Sequence, residues 1–92
     1  MSKLVCLVTG AASGLGRATA ENFIKQGYKV VLCDLPNSQG NEVAQNLGSN
    51  AVFSPLDVTV EKSVQNSIDV ARNKFGKLDI LVNCAGVGIA QR

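Results

Sequence analysis

Three closely spaced glycines, Gly10, Gly14 and Gly16, carry the clearest chemical signal in the sequence. They stand in Val8-Thr9-Gly10-Ala11-Ala12-Ser13-Gly14-Leu15-Gly16, between an apolar run from Leu4 to Val8 and a helical pattern. A strand-to-helix turn leaves the first N–H groups of the helix without partners, at the positive end of its dipole, where a phosphate can bind. Glycine suits the place because a side chain would hold a pyrophosphate off the backbone, and because glycine tolerates positive φ. The spacing is G-x-x-x-G-x-G, not the commoner G-x-G-x-x-G. A glycine-rich turn with no ligand is the plain alternative.

Other groups with suitable chemistry come later in the chain. Asp34 lies close to the offset of about 20 residues at which an acid meets a ribose. Its carboxylate can accept from both ribose hydroxyls and would repel a 2′-phosphate. No Lys or Arg follows it immediately, so NAD is favoured over NADP. The alternatives are a solvated loop aspartate or a helix cap. Asp57-Val58 suits an adenine: the carboxylate can accept from the exocyclic amine, and the valine backbone can meet the ring edge. Asp57 could equally cap a helix near Thr59. Asn83-Cys84-Ala85-Gly86 is small enough to let a nucleotide lie against the backbone, and Asn83 can bridge backbone groups of neighbouring strands. A tight strand-ending turn would look the same.

Periodicity supplies the elements that must position these groups. Apolar runs at Leu4–Val8, Val30–Cys33, Ala51–Phe53 and Leu78–Val82 read as strands. Helical patterns run over Leu15–Gln26, ended by Gly27, and more weakly over Gln39–Leu47, ended by Gly48. In the clearest helix Val60, Val64, Ile68, Ala71 and Phe75 form one stripe, with Thr59 as the expected N-cap and Gly76 as the stop. Strands alternating with helices predict an α/β fold, a parallel sheet covered on both faces. Right-handed crossovers make it a doubly wound sheet of the Rossmann type, strand order 3-2-1-4, with one domain spanning residues 1–92. The glycine turn, Asp34, Asp57-Val58 and the Asn83 turn then meet at the carboxyl edge of the sheet, where such folds bind ligands.

Composition narrows the function. The 92 residues are 46% hydrophobic with net charge +2, and the nine Lys and Arg residues are scattered. This points to a globular core and to neither a nucleic acid nor a membrane partner. Apolar runs of about five residues fall far short of the ~20 that a membrane span needs. Three cysteines without a C-x-x-C read as free thiols in a reducing compartment. The lack of histidine disfavours zinc and removes any imidazole base. Strand-like sequence from Lys3 leaves no visible signal peptide or Arg-rich presequence.

Thr9-Gly10-Ala11-Ala12-Ser13-Gly14-Leu15-Gly16 resembles the T-G-x-x-x-G-x-G cofactor motif of the short-chain dehydrogenase/reductase family. Asn83-Cys84-Ala85-Gly86 resembles its N-N-A-G motif, with Cys84 in place of the second asparagine. The resemblance runs through the whole chain. It implies NAD contacts from Ser13, Leu15, Asp34, Asp57, Val58 and Cys84, in a site shaped by Gly10, Gly14, Gly16, Ala85 and Gly86. Asp34-Leu35-Pro36-Asn37-Ser38 and Asp57-Val58-Thr59 are similar to a branch of mitochondrial, NAD-dependent homotetramers. That likeness implies hydride transfer from a secondary alcohol on a 3-hydroxyacyl-CoA or hydroxysteroid.

Family members carry their catalytic serine, Tyr-x-x-x-Lys pair and helix asparagine beyond N-N-A-G. The one tyrosine here, Tyr28, is placed at the start of the second strand, away from the cofactor end, so no catalytic residue is assigned. The chain therefore reads as the amino-terminal, cofactor-binding half of an enzyme, inactive alone. Its last strand would be left as an exposed, association-prone edge. Two rival readings stand: a non-catalytic nucleotide-binding module complete at 92 residues, and a methyltransferase, which also uses a glycine-rich first turn and acids after later strands.

Overall fold

The computed structural model describes residues 4–57 and 59–84. Strands β1 (Val5–Thr9), β2 (Lys29–Asp34), β3 (Ala51–Pro55) and β4 (Ile80–Asn83) alternate with helices α1 (Gly14–Lys25), α2 (Gly40–Leu47) and α3 (Glu61–Phe75). All strand pairs are parallel, in the order β3-β2-β1-β4, with Val8 opposite both Leu32 and Val82. This is the doubly wound sheet that the strand–helix alternation predicts.

Alternating side chains of the two inner strands feed two cores. Cys6, Val8, Val30 and Leu32 pack with Ala20, Val43 and Ala44 on the α1–α2 side. Val5, Leu7, Val31 and Cys33 pack with Leu56 and Ala71 on the α3 side. Burial on both faces explains why these strands read as unbroken apolar runs. Full burial also pushes the Cys6 and Cys33 thiols up to about 11, so both stay protonated and inert.

Most boundaries shift by a single residue from those expected, and three of the differences have a clear physical cause. Strand β3 continues through Ser54, because the buried Ser54 hydroxyl is paired with that of Ser67 at 2.8 Å. A paired hydroxyl can be buried at little cost, although in the sequence a serine looks like the end of a strand. Strand β4 begins at Ile80 rather than Leu78. Before it, Asp79 closes the pairing with Val5 twice, its N–H donating to the Val5 carbonyl and its Oδ2 accepting the Val5 N–H, each at 2.9 Å.

Thr59 is not the N-cap of α3. The helix starts at Glu61, Val60 holds the cap position, and no side chain caps it. The Thr59 hydroxyl instead donates to Asp57 Oδ1 at 2.6 Å, and a turn closed by Val60 N–H on the Asp57 carbonyl delays the helix.

Candidate functional site

The glycine turn is built backbone against backbone. A Cβ placed on Gly16 would sit 2.1 Å from the Gly10 carbonyl oxygen, so α1 can approach β1 this closely only with glycine there. Gly14 shows the opposite geometry. Its φ is +60° and a Cβ would meet nothing within 4 Å, so the turn offers open space. Ser13 occupies the N-cap with extended backbone and makes no side-chain cap bond, and the first turn carries no acid. The first helical bond comes from Arg17 N–H to the Ser13 carbonyl, leaving the amides of Gly14, Leu15 and Gly16 at an uncapped N-terminus beside that space. Leu15 is 60% exposed at its rim.

Asp34 ends β2 next to this turn, because the strand order puts β2 beside β1. Its Oδ2 accepts the Ala12 N–H at 2.9 Å and its Oδ1 the Leu35 N–H at 2.7 Å. Ala11 N–H donates to the Cys33 carbonyl at 3.0 Å. The turn is thus stitched to the end of β2 by consecutive amides, which motif spacing alone does not reveal. The signal was present all the same: a turn after one strand and an acid ending its neighbour must lie side by side.

On the other flank, Thr9 Oγ1–H donates to Asn83 Oδ1 at 2.7 Å and the same oxygen accepts the Cys84 N–H at 3.0 Å. Asn83 thus joins β4 to β1 side chain to side chain, through the Thr9 hydroxyl, and not through the backbone groups that spacing suggested. Cys84 is half-buried and packs against the core on the α1–α2 side. An apolar recess of about 160 Å³ opens on the opposite side of the sheet, between α3 and the Leu7, Leu81 and Asn83 positions.

Asp57 stands beyond β3, at the same edge. Thr59 donates to its Oδ1 from both hydroxyl and N–H, at 2.6 and 3.0 Å, and the Asp57 N–H donates to Ser63 Oγ at 3.0 Å. The Thr59 hydroxyl, then its N–H, holds the Asp57 carboxyl below the usual carboxylate value, so it is ionised at neutral pH. This carboxylate closes a local turn with Thr59 ahead of α3 but does not cap the helix, the alternative that spacing left open, and Ser63 is a partner that spacing missed. Val58, Ala85 and Gly86 lie outside the described residues. Tyr28 precedes β2 at the opposite edge, its ring centroid 5.8 Å from that of Phe23.

The short chain dehydrogenase family model matches residues 4–92. The chain is 60% identical over 86 residues to a 3-hydroxyacyl-CoA dehydrogenase type-2 of Drosophila melanogaster, covering 94% of this chain and 34% of the relative. It is 54% identical over 89 residues to the Homo sapiens protein of the same name, covering 97% and 34%. Among solved structures it matches a 3-ketoacyl-(acyl-carrier-protein) reductase from Brucella melitensis complexed with NADH. That match has a TM-score of 0.80 and 41% identity, over 87% of this chain and 33% of the other. The chain thus spans about a third of the length of the curated relatives it matches. With a parallel sheet of this order, and with the glycine turn and the Asn83-Cys84 end of β4 at one edge, it belongs to the short-chain dehydrogenase family.

Proposed function

We propose that residues 1–92 are the amino-terminal, NAD-binding part of a single Rossmann-fold domain in an oxidoreductase. The substrate is a secondary alcohol, a 3-hydroxyacyl-CoA or hydroxysteroid, whose hydride passes to NAD. One observation carries the reading: at Gly14 a positive φ and open space adjoin uncapped helix amides, with the Asp34 carboxylate held next to them. Those are the parts that a pyrophosphate joined to an adenosine ribose requires.

Bound NAD supplies the hydride acceptor, and the work of this chain is to hold and orient it. The amides of Gly14, Leu15 and Gly16, with Ser13 at the mouth, face the pyrophosphate charge. Gly10 and Gly16 let α1 come close enough for that. Asp34 takes the ribose hydroxyls. Each of its oxygens already accepts one N–H, and a carboxylate has about four lone-pair sites, so two remain for a vicinal diol. Asp57 and Val58 are assigned to the adenine, and Cys84, Ala85 and Gly86 to the cofactor, on the family resemblance of their motifs. The likeness to proteins named 3-hydroxyacyl-CoA dehydrogenase type-2 supports the acyl-CoA alternative; the mitochondrial homotetramer is proposed on the resemblance of the sequence motifs alone.

Calorimetric titration of the full-length protein with NAD, NADP and S-adenosylmethionine tests the reading. NAD should bind, NADP should bind at least ~10-fold more weakly because its 2′-phosphate meets the Asp34 charge, and S-adenosylmethionine should give no heat. Binding of S-adenosylmethionine alone would replace the dehydrogenase reading with a methyltransferase. Equal affinity for NAD and NADP would remove Asp34 from the ribose.

A further inference from the structure

The Asp34–Ala12 bond joins the phosphate subsite to the ribose subsite, and a role for it in ligand binding rests on the NAD-binding function. Ala12 lies inside the glycine turn, between the Gly10 carbonyl against which Gly16 packs and the open space at Gly14. Its N–H is taken by Asp34 Oδ2 at 2.9 Å, while Leu35 N–H on Oδ1 at 2.7 Å fixes the carboxylate from the other side. Two backbone donors on one carboxylate leave it little rotational freedom. The turn on which the helix amides depend is therefore held from β2. We propose that Asp34 is a positioning residue for the phosphate-binding turn, in addition to facing the ribose: it sets the turn's shape before any ligand arrives.

Charge and geometry predict opposite outcomes when Asp34 is removed, which makes the inference testable. A carboxylate beside an anion site repels the anion, so by charge alone its loss should tighten binding of a phosphate ligand. If its bond to Ala12 shapes the turn, its loss should weaken that binding. The probe is inorganic pyrophosphate, which has no ribose, measured by equilibrium dialysis against the full-length protein. Hydrogen exchange of the segment spanning residues 10–13 gives a second readout.

Asp34→Ala should weaken pyrophosphate binding roughly 5-fold, the scale of one lost hydrogen bond, and Ala12 amide exchange should accelerate by about 10-fold or more. Asp34→Asn loses the charge and keeps one acceptor oxygen for Ala12, while its NH2 group, itself a donor, faces the Leu35 N–H. Its Ala12 amide should exchange more slowly than in Asp34→Ala, and it should bind pyrophosphate more tightly than Asp34→Ala does. Unchanged or tighter pyrophosphate binding by Asp34→Ala would overturn the positioning role while leaving NAD binding by the wild type intact. Binding by Asp34→Asn no tighter than by Asp34→Ala, with Ala12 still protected, would overturn it too. A wild-type protein that bound neither NAD nor pyrophosphate would bring down both this role and the NAD-binding function on which it rests.

Discussion

Replacing Gly16 by alanine tests whether the glycine turn is a packing device as well as a phosphate site. The added Cβ would lie 2.1 Å from the Gly10 oxygen, 2.6 Å from its carbonyl carbon and 3.1 Å from Ala11 Cα. Real Cβ contacts essentially never fall below 3.0 Å, so from 2.1 to 3.0 Å the helix start and the turn must separate by about 0.9 Å. The atoms met are backbone, which cannot rotate away as a side chain can. Overpacking of this kind costs about 1–3 kcal/mol, and alanine returns up to ~1 kcal/mol of helix propensity. The net loss should be about 1–2 kcal/mol, read as a lower urea midpoint at unchanged slope. Because the displaced atoms belong to the turn, NAD affinity should fall by more than ~10-fold even where the variant is fully folded. A variant that unfolds at the wild-type urea concentration and binds NAD as tightly would refute the close approach of α1 to β1.

The same geometry sets several other outcomes. Gly14→Ala meets no steric contact but must hold φ near +60°, so stability should drop by about 1–2 kcal/mol; an unchanged urea midpoint would show that the turn relaxes freely. Thr9→Val keeps the shape while stranding Asn83 Oδ1 and the Cys84 N–H, for a loss of about 1–3 kcal/mol. A neutral result would mean that water replaces the hydroxyl. The Val5 N–H, then Lys77, holds the Asp79 carboxyl below its ordinary value. A carboxyl whose folded value is depressed contributes stability above the unfolded value, near pH 4, and loses it as pH falls through the folded value. Asp79→Asn should therefore lose less stability between about pH 7 and about pH 3 than the wild type. Equal acid sensitivity would count against the Val5 bond. Iodoacetamide on the native protein should label Cys84 well before Cys6 and Cys33, which are fully buried with thiols pushed up to about 11. Simultaneous labelling of all three would mean that the sheet opens readily.

The legible parts of the fold share one property: a single kind of force writes them. Val30 to Cys33 is buried on both faces, so hydrophobicity alone marks the strand, and the stripe Val64, Ile68, Ala71 and Phe75 marks α3 by period, although Val60, expected to begin it, caps the helix and is exposed. Strand order then follows from handedness, and with it the edge at which Gly10 to Gly16, Asp34, Asp57 and Asn83 assemble. What stayed hidden depends on which polar groups pair, whether two residues apart as at Asp57 and Thr59 or thirteen as at Ser54 and Ser67. Ser54 extends β3 because Ser67 answers it, and Thr59 is not the cap because the turn from Asp57 to Val60 moves the helix start on to Glu61. Neither partner can be chosen from spacing, since each serine or threonine has several acceptors within reach of some conformation.

The same distinction explains why the site's residue types could be read while its coupling could not. A carboxylate near the usual ribose offset is a property of Asp34 and its distance from Gly16. The carboxylate's grip on Ala12 is a property of two strand ends that meet only once β2 lies beside β1. Thr9 does the equivalent on the other flank, tying β1 to β4 through Asn83 and Cys84. The glycine turn is thus held from both neighbouring strands by side chains that end their own strands or face across to them. Glycine gives the turn room for a ligand but no stiffness of its own. Asp34 and Thr9 supply that stiffness from outside, which lets a flexible sequence present its helix amides in one arrangement.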